Sequence, residues 1–285
     1  MKKLALLLAV MMTMMLCSAA GAEVFLNQQP PADWAEKDTM RLTALKLGAN
    51  DGMLLEAGGM LMFIDGGTKN FDARVWPFLR ERGIEKVDYL FNTHPHGDHA
   101  ACMYRLVRDG LKADVFITAF PEDYNNEYQK RLIKIVKEKE IPIQMLEHGS
   151  VLNMGNAVLT FLQAPEGDAN ARSVATHLRF GDCTMLLTAD ISGKVQHWYV
   201  AEVSRELLEV DILKMPHHGL LQMVPDFVEA VKPEFVFINN VTSGSKKATA
   251  QLKARKLPFM HTGSGSVIMV TDGVDWYVYQ TPGKV

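Results

Sequence analysis

Past a polar, proline-bearing opening, the apolar positions of the chain follow first one period and then another. Alternation over residues 41–47, 53–56 and 60–64 predicts strands, the last two forming a hairpin around Gly58-Gly59 that ends in Asp65-Gly66-Gly67. From there the spacing lengthens. Val75, Phe78 and Leu79 predict a helix over 71–82, followed by a strand over 87–92, a turn made by Pro95 and Gly97, and a helix from His99. A buried strand over 115–118 precedes a helix over 122–140 with Tyr128, Leu132, Ile135 and Val136 on one face and its lysines in solvent. The middle reads as hairpins: strands over 151–152, 158–162, 174–180 and 185–188, with Gly181-Asp182 as a turn. A helix over 193–208 follows, then a strand over 212–215, a helix over 225–231, a strand over 235–238, a helix over 246–256 and strands over 267–270 and 276–279. Hairpins interleaved with helices predict an α/β (α+β) fold in which two sheets pack face to face with helices outside, an αββα sandwich. Residues 23–39 read as an extended lead-in, with structure starting near Met40 and one domain over 40–285.

The first 22 residues stand apart. Lys2 and Lys3 precede an apolar run from Leu4 to Leu16, and Ser18-Ala19-Ala20-Gly21-Ala22 follows. This is the pattern of a secretory signal peptide cleaved near Ala22. The apolar run is shorter than the roughly 20 residues needed to span a bilayer, and no later stretch is apolar for long enough. The expected location is therefore periplasmic or extracellular. Cys102 and Cys183 would remain after export, free to pair or to serve as buried small hydrophobes.

The chain has 285 residues, 48% of them hydrophobic and 22% charged, which places it among globular proteins able to build a core without disulfides. A formal net charge of -3 excludes a surface coated in positive charge. A polyanionic partner would need a local patch or metal ions. Ser245-Lys246-Lys247 through Lys253, Arg255 and Lys256 is one such tract, read here as a solvated helix face. Neither a glycine-rich nucleotide loop nor a serine-nucleophile motif is found.

The densest chemistry is Thr93-His94-Pro95-His96-Gly97-Asp98-His99, with four metal-ligating side chains in six residues at the end of an apolar strand. Imidazoles with a carboxylate suit Zn²⁺ and its neighbours. Two further strands end in similar residues: Leu186-Leu187-Thr188-Ala189-Asp190, and Ile212-Leu213-Lys214-Met215-Pro216-His217-His218-Gly219. Taken singly, an aspartate after a strand is usually a cap or turn residue, and a His-His-Gly loop is often structural. In this order, each at a strand end, they form a constellation.

With His94, His96, Asp98 and His99 as an H-x-H-x-D-H signature, the chain resembles the metallo-β-lactamase-fold hydrolases. Ile64-Asp65-Gly66-Gly67, residues 186–190 and residues 213–219 make it similar to the hydrolase domain of DNA-uptake competence proteins and their secreted relatives. The resemblance implies a dinuclear site for Zn²⁺, with Mn²⁺ as the alternative. It implies His94 and His96 on the first metal, Asp98 and His99 on the second, Asp190 bridging, and one of His217 and His218, with His218 favoured, completing the second. Asp65 would orient a ligand. Two departures stand out. Asn170-Ala171-Arg172-Ser173 occupies the place where many members carry another histidine, with His177, read as a surface or packing residue, four positions after Ser173. Leu220 stands where competence-type relatives usually have serine.

Two metals can activate water and hydrolyse a substrate without a covalent intermediate. The expected function is hydrolysis of a small-molecule or polymeric phosphodiester, nucleic acid among the candidates, by a dinuclear metal-bound hydroxide. Asp98 and His217 would act at the reacting groups, with His217 donating a hydrogen bond to the phosphoryl oxygen or a proton to the leaving group. The alternatives are a lactone, lactam or thioester hydrolase, and a non-catalytic metal- or ligand-binding protein on the same fold.

Overall fold

The computed structural model describes residues 22–282; residues 1–22, read from the sequence as a signal peptide, lie outside the described residues except for Ala22. Nine strands form one sheet: β1 (Val24–Leu26), β2 (Met40–Ala44), β3 (Gly52–Ala57), β4 (Met60–Asp65), β5 (Lys86–Asn92), β6 (Lys112–Thr118), β7 (Ile143–Met145), β15 (Val267–Thr271) and β16 (Trp276–Gln280). Their spatial order is β1-β16-β15-β2-β3-β4-β5-β6-β7. The second sheet holds β8 (Val151–Met154), β9 (Ala157–Leu162), β10 (Ala175–Phe180), β11 (Cys183–Leu187), β12 (Ile212–Lys214), β13 (Phe235–Ile238) and β14 (Phe259–His261), in the order β14-β13-β12-β11-β10-β9-β8.

Side-chain alternation along these strands makes the layers. In β4, Met62 and Ile64 face the other sheet while Phe63 faces the helices. The inter-sheet core joins Leu42, Leu55 and Phe91 to Leu159, Phe161 and Met185, and Phe91 meets Phe161 edge-on at 5.2 Å, an arrangement worth about 0.5–1.5 kcal/mol beyond its area. On the outside of the first sheet lie α1 (Asp72–Glu81), α2 (Gly97–Arg108) and α3 (Glu127–Glu138), whose Leu79, Met103 and Leu132 cover Leu54, Phe63 and Leu90. The second sheet is covered by α4 (Lys194–Glu202), α5 (Arg205–Leu208), α6 (Pro225–Val231) and α7 (Lys246–Ala254). The αββα order read from the pattern is the observed one.

Several boundaries differ. Order begins well before Met40: β1 pairs in parallel with β16, and Trp34, in a 3-10 turn over Ala32–Glu36, packs edge-on to Tyr277. The helix expected from His99 starts at Gly97, with extended His96 as its N-cap. The helix expected over 122–140 starts only at Glu127, because the Asn126 side chain accepts from the backbone N–H groups of Tyr128 and Gln129. The helix expected over 193–208 is broken where Val203 becomes extended. Cys102 and Cys183 are both free and buried, in different core clusters, and burial pushes each thiol up to about 12. The 246–256 tract is α7 and its flank, with exposed lysines. Among the described residues, no helix is long and apolar enough to cross a membrane.

What positions the site is the run of parallel strands in each sheet. β4, β5 and β6 are parallel neighbours in the first, as are β11, β12 and β13 in the second. The loops leaving β4, β5, β11, β12 and β13 carry the polar residues described next, at the strand ends where open α/β sheets hold their ligands.

Candidate metal centre

Asp65, the last residue of β4, ties the ends of two strands together. Its Oδ1 accepts from Asn92 Nδ2 and Thr93 N, both at 2.9 Å, and its Oδ2 accepts from Thr93 Oγ1 at 2.7 Å. Oδ2 also lies 2.7 Å from His99 Nδ1, which fixes the ring so that Nε2 points into the cleft. Asp98 and His99 occupy the first turn of α2, where the helix dipole favours the carboxylate.

The second sheet supplies its share through strained turns. Ala189 has φ +44 and delivers Asp190, whose backbone N donates to Ser173 Oγ at 3.2 Å. Residues Pro216–Gly219 turn with three successive left-handed residues, His217 (φ 48), His218 (φ 52) and Gly219 (φ 69). Only the glycine takes that conformation freely; each histidine costs of order 1–3 kcal/mol, a strain that clusters at functional sites. Asn240 Nδ2 holds the turn by donating to His218 O at 3.0 Å.

The donor atoms converge with metal-like spacing. His218 Nε2 lies 3.4 Å from Asp98 Oδ2, 3.4 Å from Asp190 Oδ1 and 3.3 Å from His99 Nε2, and His99 Nε2 is 3.3 Å from Asp190 Oδ2. Ligands bound tetrahedrally at about 2.0–2.2 Å stand about 3.3–3.6 Å apart. Asp190 Oδ1 is buried and has no hydrogen-bond donor, an orphaned acceptor that a cation would satisfy. His99, Asp190 and His218, with Asp98 beside His218, therefore offer a donor set suited to a divalent ion. Next to His99, His94 Nε2 lies 3.6 Å from the same Oδ2 of Asp190 and 3.2 Å from His96 Nδ1. This is a second, sparser set. His217 Nε2 is 3.7 Å from the same oxygen, and its Nδ1 has no partner.

Asp51, Lys214 and Asn239 are site residues that the sequence analysis passed over. Asp51 groups with His99, Asp190 and His218 as a possible ligand, but its oxygens face the backs of the rings. Oδ1 is 3.2 Å from His218 Nδ1, and Oδ2 is 3.9 Å from His99 Nδ1 and 2.8 Å from the ammonium of Lys214. The two nitrogens of an imidazole point in opposite directions, and a lysine at that distance repels a second cation. Asp51 is therefore an orienting carboxylate, held in turn by Asn239 Nδ2 at 2.7 Å. A lysine inside an apolar strand was the signal available in the sequence.

The carboxylates give the cluster a field that holds positive charge. Burial alone would depress His99, but Asp190 and Asp65 outweigh it and raise the imidazole to about 10; Asp190 and Asp51 likewise raise His218. Burial opposes the charged form of Asp98, yet His218 and His99 bring it down to about 2. His94, depressed by burial and by His99, is a neutral lone-pair donor.

Ser173, in place of a third histidine, is buried with its Oγ on Asp190 N. His177 sits mid-strand on β10 opposite Thr160 and Leu186, buried rather than on the surface, and burial with the Arg179 charge pulls it down to about 4. Replacing His177 by Ala is expected to leave the metal equivalents per chain unchanged in elemental analysis. Loss of one equivalent would make it a ligand.

The metallo-beta-lactamase superfamily profile matches residues 46–237. Among curated proteins, ComE operon protein 3 from Bacillus subtilis (strain 168) is 23% identical over 218 residues, 68% of this chain and 27% of that protein. Coenzyme F420H(2) oxidase from Methanothermobacter marburgensis is 31% identical over 94 residues, 33% of this chain and 22% of that protein. The chain thus spans at most about a quarter of the length of these relatives. Among solved structures, the metallo-beta-lactamase fold protein YhfI from Bacillus subtilis aligns with a TM-score of 0.53 at 14% identity, covering 82% of this chain and 100% of that one. That likeness concerns the fold.

Proposed function

The chain belongs to the metallo-beta-lactamase superfamily, and on that premise we propose that it is an exported metal-dependent hydrolase of phosphodiesters. The observation that carries the hydrolase reading is the convergence of His99, Asp190 and His218, with Asp98 beside His218, at separations of 3.3–3.4 Å and with one oxygen of Asp190 left without a hydrogen-bond donor. The phosphodiester reading draws on the competence-type motif. We assign Zn²⁺, with Mn²⁺ as the alternative, to that set and to His94, His96 and the shared Asp190. Bound there, divalent ions would supply Lewis acidity toward a phosphoryl oxygen and a bound water of lowered pKa.

The chain's own residues do the positioning. Asp65 and Asp51 fix the rings of His99 and His218 from behind, so the donor atoms need little reorganisation. His217 is 22% exposed at the cleft wall and burial lowers its pKa, so it is neutral at pH 7 and donates one N–H to a phosphoryl oxygen. A second reading, a lactone or thioester substrate, is favoured by Leu220 and Leu221, which stand 44% and 47% exposed beside the histidine turn.

Zn²⁺ titrated into metal-stripped protein is expected to bind in two unequal steps, with hydrolysis of bis(p-nitrophenyl) phosphate following the second. Because His99 keeps its proton up to about 10, uptake at pH 7 should release protons and weaken as pH falls. Turnover of a lactone alone would replace the phosphodiester reading. No turnover with both sites filled would leave a binding protein.

A further inference from the structure

Beyond its ligand-bearing first turn, α2 lines a second hollow of different chemistry. Ala101, Tyr104, Arg105 and Arg108 follow one another at helical spacing along one stripe. Tyr128 and Arg131 of α3 and Lys69 of the 3-10 turn Lys69–Phe71 complete a cavity of about 280 Å³.

The hollow adjoins the metal loop through Tyr128. A β-carbon at Gly97 would stand 2.7 Å from Tyr128 Cζ and 2.9 Å from its hydroxyl, so glycine between His96 and Asp98 is what lets that ring rest on the loop. At a rise of 1.5 Å per residue, Arg105 lies about 10 Å along the helix from Asp98.

Its charge is unbalanced. Arg105 Nε is 2.9 Å from Asp72 Oδ2, and Arg108 holds Asp109 through two nitrogens at 2.6 and 2.7 Å. Lys69 and Arg131 have no ion-pair partner among the described residues. A chain with a net charge of -3 thus keeps two uncompensated cations beside its candidate active site. Guanidinium and ammonium groups together suit a phosphate. Tyr128, 43% exposed, offers its ring to the sugar or base joined to it.

We infer that this hollow is an anion subsite holding a second phosphate group of the substrate, displaced along α2 from the bond to be cut. The inference rests on the phosphodiester reading above and narrows it to substrates bearing more than one phosphate.

The test compares two dinucleotides that share one phosphodiester, TpT and its 5′-phosphorylated form pTpT. Wild type is expected to favour pTpT by about tenfold in kcat/KM, chiefly through KM, and the K69A/R131A variant is expected to lose that ratio. An undiminished ratio in the variant, or none in wild type, overturns the subsite. If wild type cleaves neither, the phosphodiester reading fails, and calorimetric binding of thymidine 5′-monophosphate decides the subsite separately. A Kd about tenfold weaker in the variant supports it; equal affinities overturn it.

Discussion

Replacing Asp190 by Ala is expected to strip metal from both candidate sites and reduce hydrolysis to background. Asp190 is the carboxylate that four imidazoles of the cluster share. Its Oδ2 faces His99, His94 and His217 at 3.3, 3.6 and 3.7 Å, and its Oδ1 faces His218 at 3.4 Å. Loss of a partner that only orients a ligand lowers metal affinity by about 10–100-fold, so loss of a shared ligand should exceed about 100-fold. The imidazoles would also lose the charge that offsets their mutual repulsion. Elemental analysis after dialysis, run beside turnover, checks both parts. A metal-replete, active Asp190→Ala protein would remove the basis of the site.

The second large effect concerns stability. Lys214 is fully buried, with Nζ 2.8 Å from Asp51 Oδ2 and donating to Ala189 O at 2.9 Å. Burial opposes ionised Asp51, but Lys214 and then His218 hold its carboxyl well below the usual range. Lys214→Met leaves that carboxylate without its main partner, and breaking a buried pair from one side costs about 3–5 kcal/mol. For a chain of this size that lowers the Tm by roughly 6–20 °C. Adding Asp51→Asn should recover part of the loss, because the stranded charge is gone. Thermal unfolding of the three variants measures both effects, and an unshifted Lys214→Met midpoint would show that the pair does not carry the fold.

What could be read in advance followed from how local its cause was. His94 to His99 are compressed into six residues, and Asp190 and the His217-His218 pair each follow a mainly apolar strand, so both carry a signature within a few residues. The family resemblance drawn from them is borne out by the superfamily match and by ComE operon protein 3. Asp51 had no such mark. Its role depends on Lys214, His218 and Asn239, all contributed by the other sheet. Strand β1 escaped for the same reason, since three residues gain a partner only 252 positions away. The start of α3 was misplaced because a capping side chain, that of Asn126, rather than apolar spacing sets where the helix begins, and α2 starts two residues early because the extended backbone ends at His96.

Strand β1 has a consequence for solubility. It lies along β16, where Trp276, Tyr277, Val278 and Tyr279 would otherwise offer an aromatic edge with open backbone donors and acceptors. Such an edge is a template for pairing between chains. The opposite border of the sheet, β7, is only three residues long, and β1 is no longer, so both margins are too short to recruit a neighbour effectively. A segment that looks like a mere lead-in thus guards the fold against self-association, and trimming the chain beyond Leu26 would unmask a sticky border.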